Sequence, residues 1–298
     1  MVLVPMLNDK AMKAMVETFL EVEIPTRPSF RPRFSGLPIC PMFVAFAVAY
    51  RGCPDNKSYA REVYADVGTT LHRDIQYWLG VGGMIFGDWR CNNRRCSAFS
   101  PETDPPQWKR MLGPVKCGAC GHHCEYIELE FFVPRFGKKK DPAGHADGFI
   151  PLSALGVKDK AKKDHYALLE IKSAATSKIT AIKNEPLEQL SWILQDSAYV
   201  GAARAEGIEV DAILLWLVDR AFPTRITPLE LPVIPDVVET ASFEYRLIRQ
   251  RIRKRQWGRL VRLCDEPKEG VYCPFVDVCF SPVAIDTIDE RIRAGTAA

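Results

Sequence analysis

Cys91-x4-Cys96 and Cys117-x2-Cys120, with twenty residues between the two pairs, are the strongest constraint that this sequence places on its own folding. Two thiol pairs at this spacing have the layout of a zinc ribbon, in which four thiolates close on one tetrahedral ion and the chain between them becomes a loop. Cys117-Gly-Ala-Cys120-Gly121 makes a good knuckle, because glycine allows the tight turn that aims backbone amides at sulfur. The first pair is looser, so His122, His123 or Cys124 stand by as replacement ligands. Four protein ligands leave no open position, so the expected Zn²⁺ is structural. Arg90, Arg94, Arg95, Lys109 and Arg110 lie around the motif, either for presentation to DNA or on a merely stapled loop.

The chain has ten cysteines, the others being Cys40, Cys53, Cys124, Cys264, Cys273 and Cys279. The N-terminus reads as an amphipathic helix interrupted by Lys10, Lys13 and Glu17, not as a secretion signal, so a reducing cytoplasm (a host's, if the protein is viral) is expected. Metal ligation is then the better default for clustered thiols. The longest apolar run, Met42 to Tyr50, is far short of the roughly 20 residues that cross a bilayer, and no membrane partner is expected. A net charge of +3 is too small to announce nucleic-acid binding except through a local patch.

The pattern along the chain divides it into four parts. Residues 1–87 read as mostly helical, interrupted by the proline-rich stretch Pro25 to Pro41, with a helix near Thr70–Leu79; 88–126 as the zinc-ribbon insertion; 127–263 as an α/β core followed by a basic helix; and 264–298 as a cysteine-bearing tail. In the core, Ile127–Pro134, Ala146–Leu152 and Tyr166–Lys172 read as strands, Glu188–Glu206 as a helix and Ala212–Val218 as a buried strand. Strands in succession, then a helix, then another strand suggest a mixed central sheet flanked by helices.

Glu170 and Lys172, two apart in a strand, share one face, and Asp147, set between Ala146 and Gly148, reaches that face from the neighbouring strand. Two hard carboxylates with a backbone carbonyl suit Mg²⁺ or Mn²⁺, which polarises a phosphodiester and activates water. Lys172 adds a positive point charge for that water or for the phosphate. The same pattern also describes a surface ion pair at a strand end. Gly68-Thr69-Thr70 reads as a helix start, which puts His72 on the first turn, as a further ligand or as a capping or core histidine. Gln195 and Tyr199 share a helix face with Gln189 nearby, suited to a phosphate, a base edge or bracing Lys172, or simply a polar edge of the helix. Arg246 to Arg255, including Arg253 and Arg255, form a basic run that can track phosphates, with Trp257 available to stack on a base; the alternative is a solvated face.

In order and spacing, G-x-x-x-H at Gly68–His72, G-x-x-D at Gly144–Asp147, E-x-K at Glu170–Lys172 and Q-x-x-x-Y at Gln195–Tyr199 resemble the RecB-like branch of the PD-(D/E)XK nucleases, including CRISPR-associated and phage exonucleases. Ala146 stands where the superfamily name has proline. The resemblance implies a restriction-endonuclease-like sheet. It implies that His72, Asp147, Glu170 and the Ile171 carbonyl hold Mg²⁺ or Mn²⁺, that Lys172 assists the attacking water, and that the substrate is single-stranded DNA or DNA ends. It also implies a 4Fe-4S cluster on Cys40, Cys264, Cys273 and Cys279, stapling the C-terminus to the N-terminal part. The gap before Cys273 is eight residues where the family has two, which leaves Cys53 as an alternative to Cys264. Recombination, replication, repair or spacer acquisition is the implied setting. A helicase, recombinase or integrase partner is implied with it, since the chain carries no phosphate-binding loop of its own. Two other readings are a non-catalytic adaptor in which the metal sites scaffold a DNA-binding surface, and a site-specific endonuclease.

Overall fold

The computed structural model describes residues 61–96, 109–131, 144–185 and 190–240, the short stretches 23–26 and 55–60, and isolated positions at 14, 15, 17, 243, 247, 250 and 254. The chain divides into two compact units, one made of Met1–Phe30, Ile39–Gly68 and Ile248–Ala298, the other of Arg31–Pro38 and Thr69–Leu247. In the first, β1 (Glu23–Thr26) pairs antiparallel with β2 (Asp55–Ser58), where a mostly helical segment was expected. Helix α1 (Tyr59–Val81) starts in this unit and continues into the second.

The second unit is mixed α/β. Its central sheet contains β3 (Phe86–Cys91), β4 (Lys109–Leu112), β5 (Cys124–Ile127), β8 (Gly148–Pro151), β9 (Tyr166–Ala174), β10 (Val210–Asp219) and β11 (Ile226–Leu231). The strand order is β11-β10-β9-β8-β3-β4, with β5 also pairing with β3. A separate small pair joins β6 (Leu129–Phe131) to β7 (Gly144–Ala146). Only β9 and β10 are parallel; the crossover between them carries α2 (Thr176–Asn184) and α3 (Leu190–Ala205), as a parallel connection requires. The other neighbours are antiparallel.

β9 is buried on both faces over Ala167–Ile171, which needs a layer on each side of the sheet. On one side, Leu169 and Ile171 join Leu79, Ile85, Trp89, Ile150 and Val218 in a core against which Leu71 and Ile75 of α1 pack. On the other side Glu170 meets Gln195 of α3. The stripe Leu71–Ile75–Leu79 seats the expected Thr70–Leu79 part of α1, and the helix reaches back to Tyr59 through Gly68, whose cost in a helix is only about 1 kcal/mol.

The segment 88–126 shares its strands with the central sheet, since Asp88 pairs with Arg110 and Cys91 with Cys124. α2 and β11 had no counterpart in the sequence reading. The expected basic helix over 237–263, with Arg253, Arg255 and Trp257, lies largely outside the described residues, as does Gln189. Among the described residues, no helix is long and apolar enough to cross a membrane.

Candidate functional site

The cysteine pairs come together. Cys91 ends β3, Cys96 follows in a turn, and Cys117 and Cys120 occupy the knuckle between β4 and β5. Their four sulfurs lie within 4.8 Å of one another, with Cys91–Cys120 at 3.6 Å and Cys96–Cys117 at 3.7 Å. The knuckle is closed by Cys117 N–H to the His122 carbonyl at 2.8 Å and by Gly121 N–H to the Cys117 carbonyl at 2.8 Å. Gly121 stands at φ +71°, where a side chain would be strained. The amides of Ala119 and Cys120 aim at Cys117 and pull its thiol down to about 6. Cys91 is pushed up to about 12: the Asn93 amide pulls it down, but burial and the three neighbouring thiols outweigh that. Several sulfurs this close cannot all ionise by themselves, and a cation among them removes the conflict, so the set could hold a metal ion. Cys124 packs against the same cluster, while His122 is exposed and turned to the Cys120 carbonyl.

The carboxylate set is assembled from α1, the β7–β8 junction, β9 and α3. Asp147 lies between β7 and β8 and is nearly buried. Its Oδ2 accepts the Ile171 N–H at 2.7 Å and sits 3.4 Å from His72 Nδ1. Its carbonyl accepts two more bonds, from Gln76 Nε2 and Tyr126 Oη, each at 2.9 Å. His72 therefore reaches Asp147 from the middle of α1 and not from a first turn. Burial pulls the His72 imidazole down, but the bond to Asp147 and the charges of Asp147 and Glu170 win, so its pKa is raised.

Glu170 is 2% exposed. Its Oε1 accepts Lys172 Nζ in a short bond and Gln195 Nε2 at 3.4 Å. Burial first, then the charge of Asp147, push Glu170 up to about 7 against the pull of Lys172. Lys172 is raised in turn, because Glu170 outweighs its own desolvation. Asp147, Glu170, Lys172, His72 and Gln195 thus form one neighbourhood. As they stand, Glu170 is turned to Lys172 and Asp147 to Ile171 and His72; among the described residues, only the cysteines form a ligand set within 4.8 Å. Tyr199 lies on the same helix, 4% exposed and against Phe131, where burial drives its pKa far up. Its ring covers Gly144, where a Cβ would come within 2.6 Å of the hydroxyl.

Four residues of this neighbourhood carried no expectation. Gln76 is one helical turn from His72 and ties Glu128 Oε1 at 2.9 Å to the Asp147 carbonyl, a link that the i, i+4 spacing could have signalled. Burial raises the Glu128 carboxyl. Tyr126 comes from β5, so its part in the site was hidden inside the presumed insertion. Asp196 follows Gln195, is fully buried, and has no donor on either oxygen besides the Glu170 carboxyl; burial first, then the charge of Glu170, hold its carboxyl well above the usual range. A cavity of about 750 Å³ lies between α1 and the knuckle, with Arg73, Tyr77, Trp89 and His122 in its wall and Gln76 and Tyr126 reaching it; Asp147 and Glu170 do not line it.

Cys40, Cys53, Cys264, Cys273 and Cys279 lie outside the described residues. No protein-family model matches the chain, and neither the curated proteins nor the solved structures contain a significant match to it.

Proposed function

We propose that this chain is a metal-dependent deoxyribonuclease of the PD-(D/E)XK type, acting on single-stranded DNA or DNA ends, with a structural zinc in the cysteine knuckle. The observation that carries the reading is the convergence of Asp147, Glu170, Lys172, His72 and Gln195 from four separate elements. Antiparallel β8 and β9 followed by a helical crossover to parallel β10 is also the order that a restriction-endonuclease-like sheet needs.

The donors fit a hard dication in chemistry: two carboxylates and an imidazole, in a pocket where burial first and the charge of Asp147 next raise Glu170. Mg²⁺ or Mn²⁺ there would supply charge stabilisation at the scissile phosphate and a more acidic water. Gln195 steadies Glu170, the Ile171 amide fixes the Asp147 carboxylate, and Lys172 stands beside Glu170 to hold the attacking water. For the cysteines, a tetrahedral site with Zn–S near 2.3 Å has sulfur–sulfur edges of about 3.8 Å. The observed 3.6 and 3.7 Å fit one ion; a four-iron cluster holds each thiolate on a different iron and spreads them farther.

The test is digestion of DNA labelled at the 5′ or the 3′ end, with Mg²⁺ or Mn²⁺, by the wild type and by Lys172→Ala. Loss of label from one end, abolished by EDTA and by the substitution, is the expected result and gives the polarity. Binding without cleavage by both proteins would put the adaptor reading first, and cutting of closed circular DNA would favour the endonuclease.

A further inference from the structure

Asp196 has no part in the scheme above, yet it lies inside the site. It is 0% exposed, stands next to Gln195 on α3, and neither of its oxygens has a donor beside it other than the Glu170 carboxyl that it faces. Its charge acts on Glu170 and on Lys172. Two carboxyls set against each other away from water, with no cation on Asp196, are an unfavourable arrangement that a positive group would relieve.

Lys172 is that group. The ammonium has three N–H donors, and here it bonds Glu170 Oε1. In the nuclease reading Glu170 is also the oxygen donor for a dication, and two positive groups compete for it. Once Glu170 turns to the cation, Lys172 needs another acceptor. We infer that Asp196 accepts the Lys172 ammonium when a cation occupies Glu170, and so holds Lys172 where it can orient the attacking water. Asp196 is then a positioning residue that acts through Lys172. The inference rests on the nuclease reading.

Asp196→Asn tests it, because the variant keeps the shape and loses the charge. Three quantities are read: single-turnover cleavage and KM with Mn²⁺, Mn²⁺ affinity from the free-ion electron spin resonance signal, and thermal midpoint. Cleavage is expected to slow by about 10- to 100-fold while KM and Mn²⁺ affinity stay within about twofold. The thermal midpoint is expected to hold or rise, since a buried carboxyl set against Glu170 has been removed. The Lys172→Ala, Asp196→Asn double variant is expected to be no slower than Lys172→Ala alone, because the two act as one unit. Full cleavage by Asp196→Asn overturns the inference. Loss of Mn²⁺ affinity in step with rate also overturns it, by making Asp196 a ligand. Slower cleavage with a lower midpoint overturns it as well, by making Asp196 a packing residue. A wild type that cuts no DNA removes the nuclease reading and this inference together, whereas an active wild type with an unimpaired Asp196→Asn removes the inference alone.

Discussion

Asp147 is fixed by groups from three separate stretches of chain: Gln76 and Tyr126 on its carbonyl, and the Ile171 amide on its carboxylate. Gly144 belongs to the same arrangement through Tyr199, whose ring occupies the space that any β-carbon there would need. Gly144→Ala is therefore expected to push Tyr199 away and to destabilise the fold by roughly 1–3 kcal/mol, read as a lower midpoint in urea. If the alanine variant unfolds at the wild-type midpoint, the close approach is not a constraint. At this scale the sequence was legible for proximity, where a residue type and a spacing together set Glu170 beside Lys172 and the four knuckle cysteines beside one another. It was not legible for Tyr126 or Asp196, because a lone tyrosine in a strand and a lone aspartate in a helix carry no spacing that points across the fold.

The elements were read best where burial was continuous. β9 and β10 stand close to their expected places because Ala-Leu-Leu and Ile-Leu-Leu-Trp-Leu-Val have nowhere to go but a covered sheet. β3 was missed as a sheet strand because its charged and cysteine residues suggested a loop module, whereas Trp89 packs into the main core and donates its indole N–H to the Met111 carbonyl at 2.9 Å. Outside the site, a cross-element contact sets an acid dependence. Asp211 at the start of β10 accepts from Lys162 and His165, each at 2.9 Å, and the Lys162 bond first, then His165, holds its carboxyl below the ordinary 3.8. A depressed folded-state pKa gives stability that is present above the unfolded value and lost as pH falls through the folded one. The wild type is therefore expected to lose this contribution as pH falls below 3.8, and Asp211→Asn is expected to flatten that part of the urea-midpoint profile while leaving its shape between pH 5 and 6 unchanged. An Asp211→Asn profile that falls as steeply as the wild type below pH 3.8 would rule the contact out as the cause.

At the scale of the whole molecule, the thiol site and the carboxylate site belong to one sheet. Cys91 pairs with Cys124 across β3 and β5, and two residues along β5 Tyr126 pairs with Trp89 and bonds the Asp147 carbonyl. Because the metal-bound form of such a site supplies folding free energy, Cys117→Ser is expected to lower bound zinc from about one per chain to near zero and to lower the thermal midpoint. Elemental analysis and calorimetry of the purified protein check both, and full zinc with an unchanged midpoint would refute the assignment. The meeting of the two cysteine pairs was legible in their spacing, while the place of the knuckle within the sheet was not, because pairing of β3 with β4 and β5 across a long intervening segment leaves no local mark. The shared strand also bears on how a preparation ages. An oxidant that reaches only the sulfurs is expected to fray β5 from its Cys124 end and so to disturb, at one remove, the carbonyl that Tyr126 holds. Under the nuclease proposal, DNA cleavage is expected to decline in step with thiol content, in molecules whose carboxylates are chemically untouched.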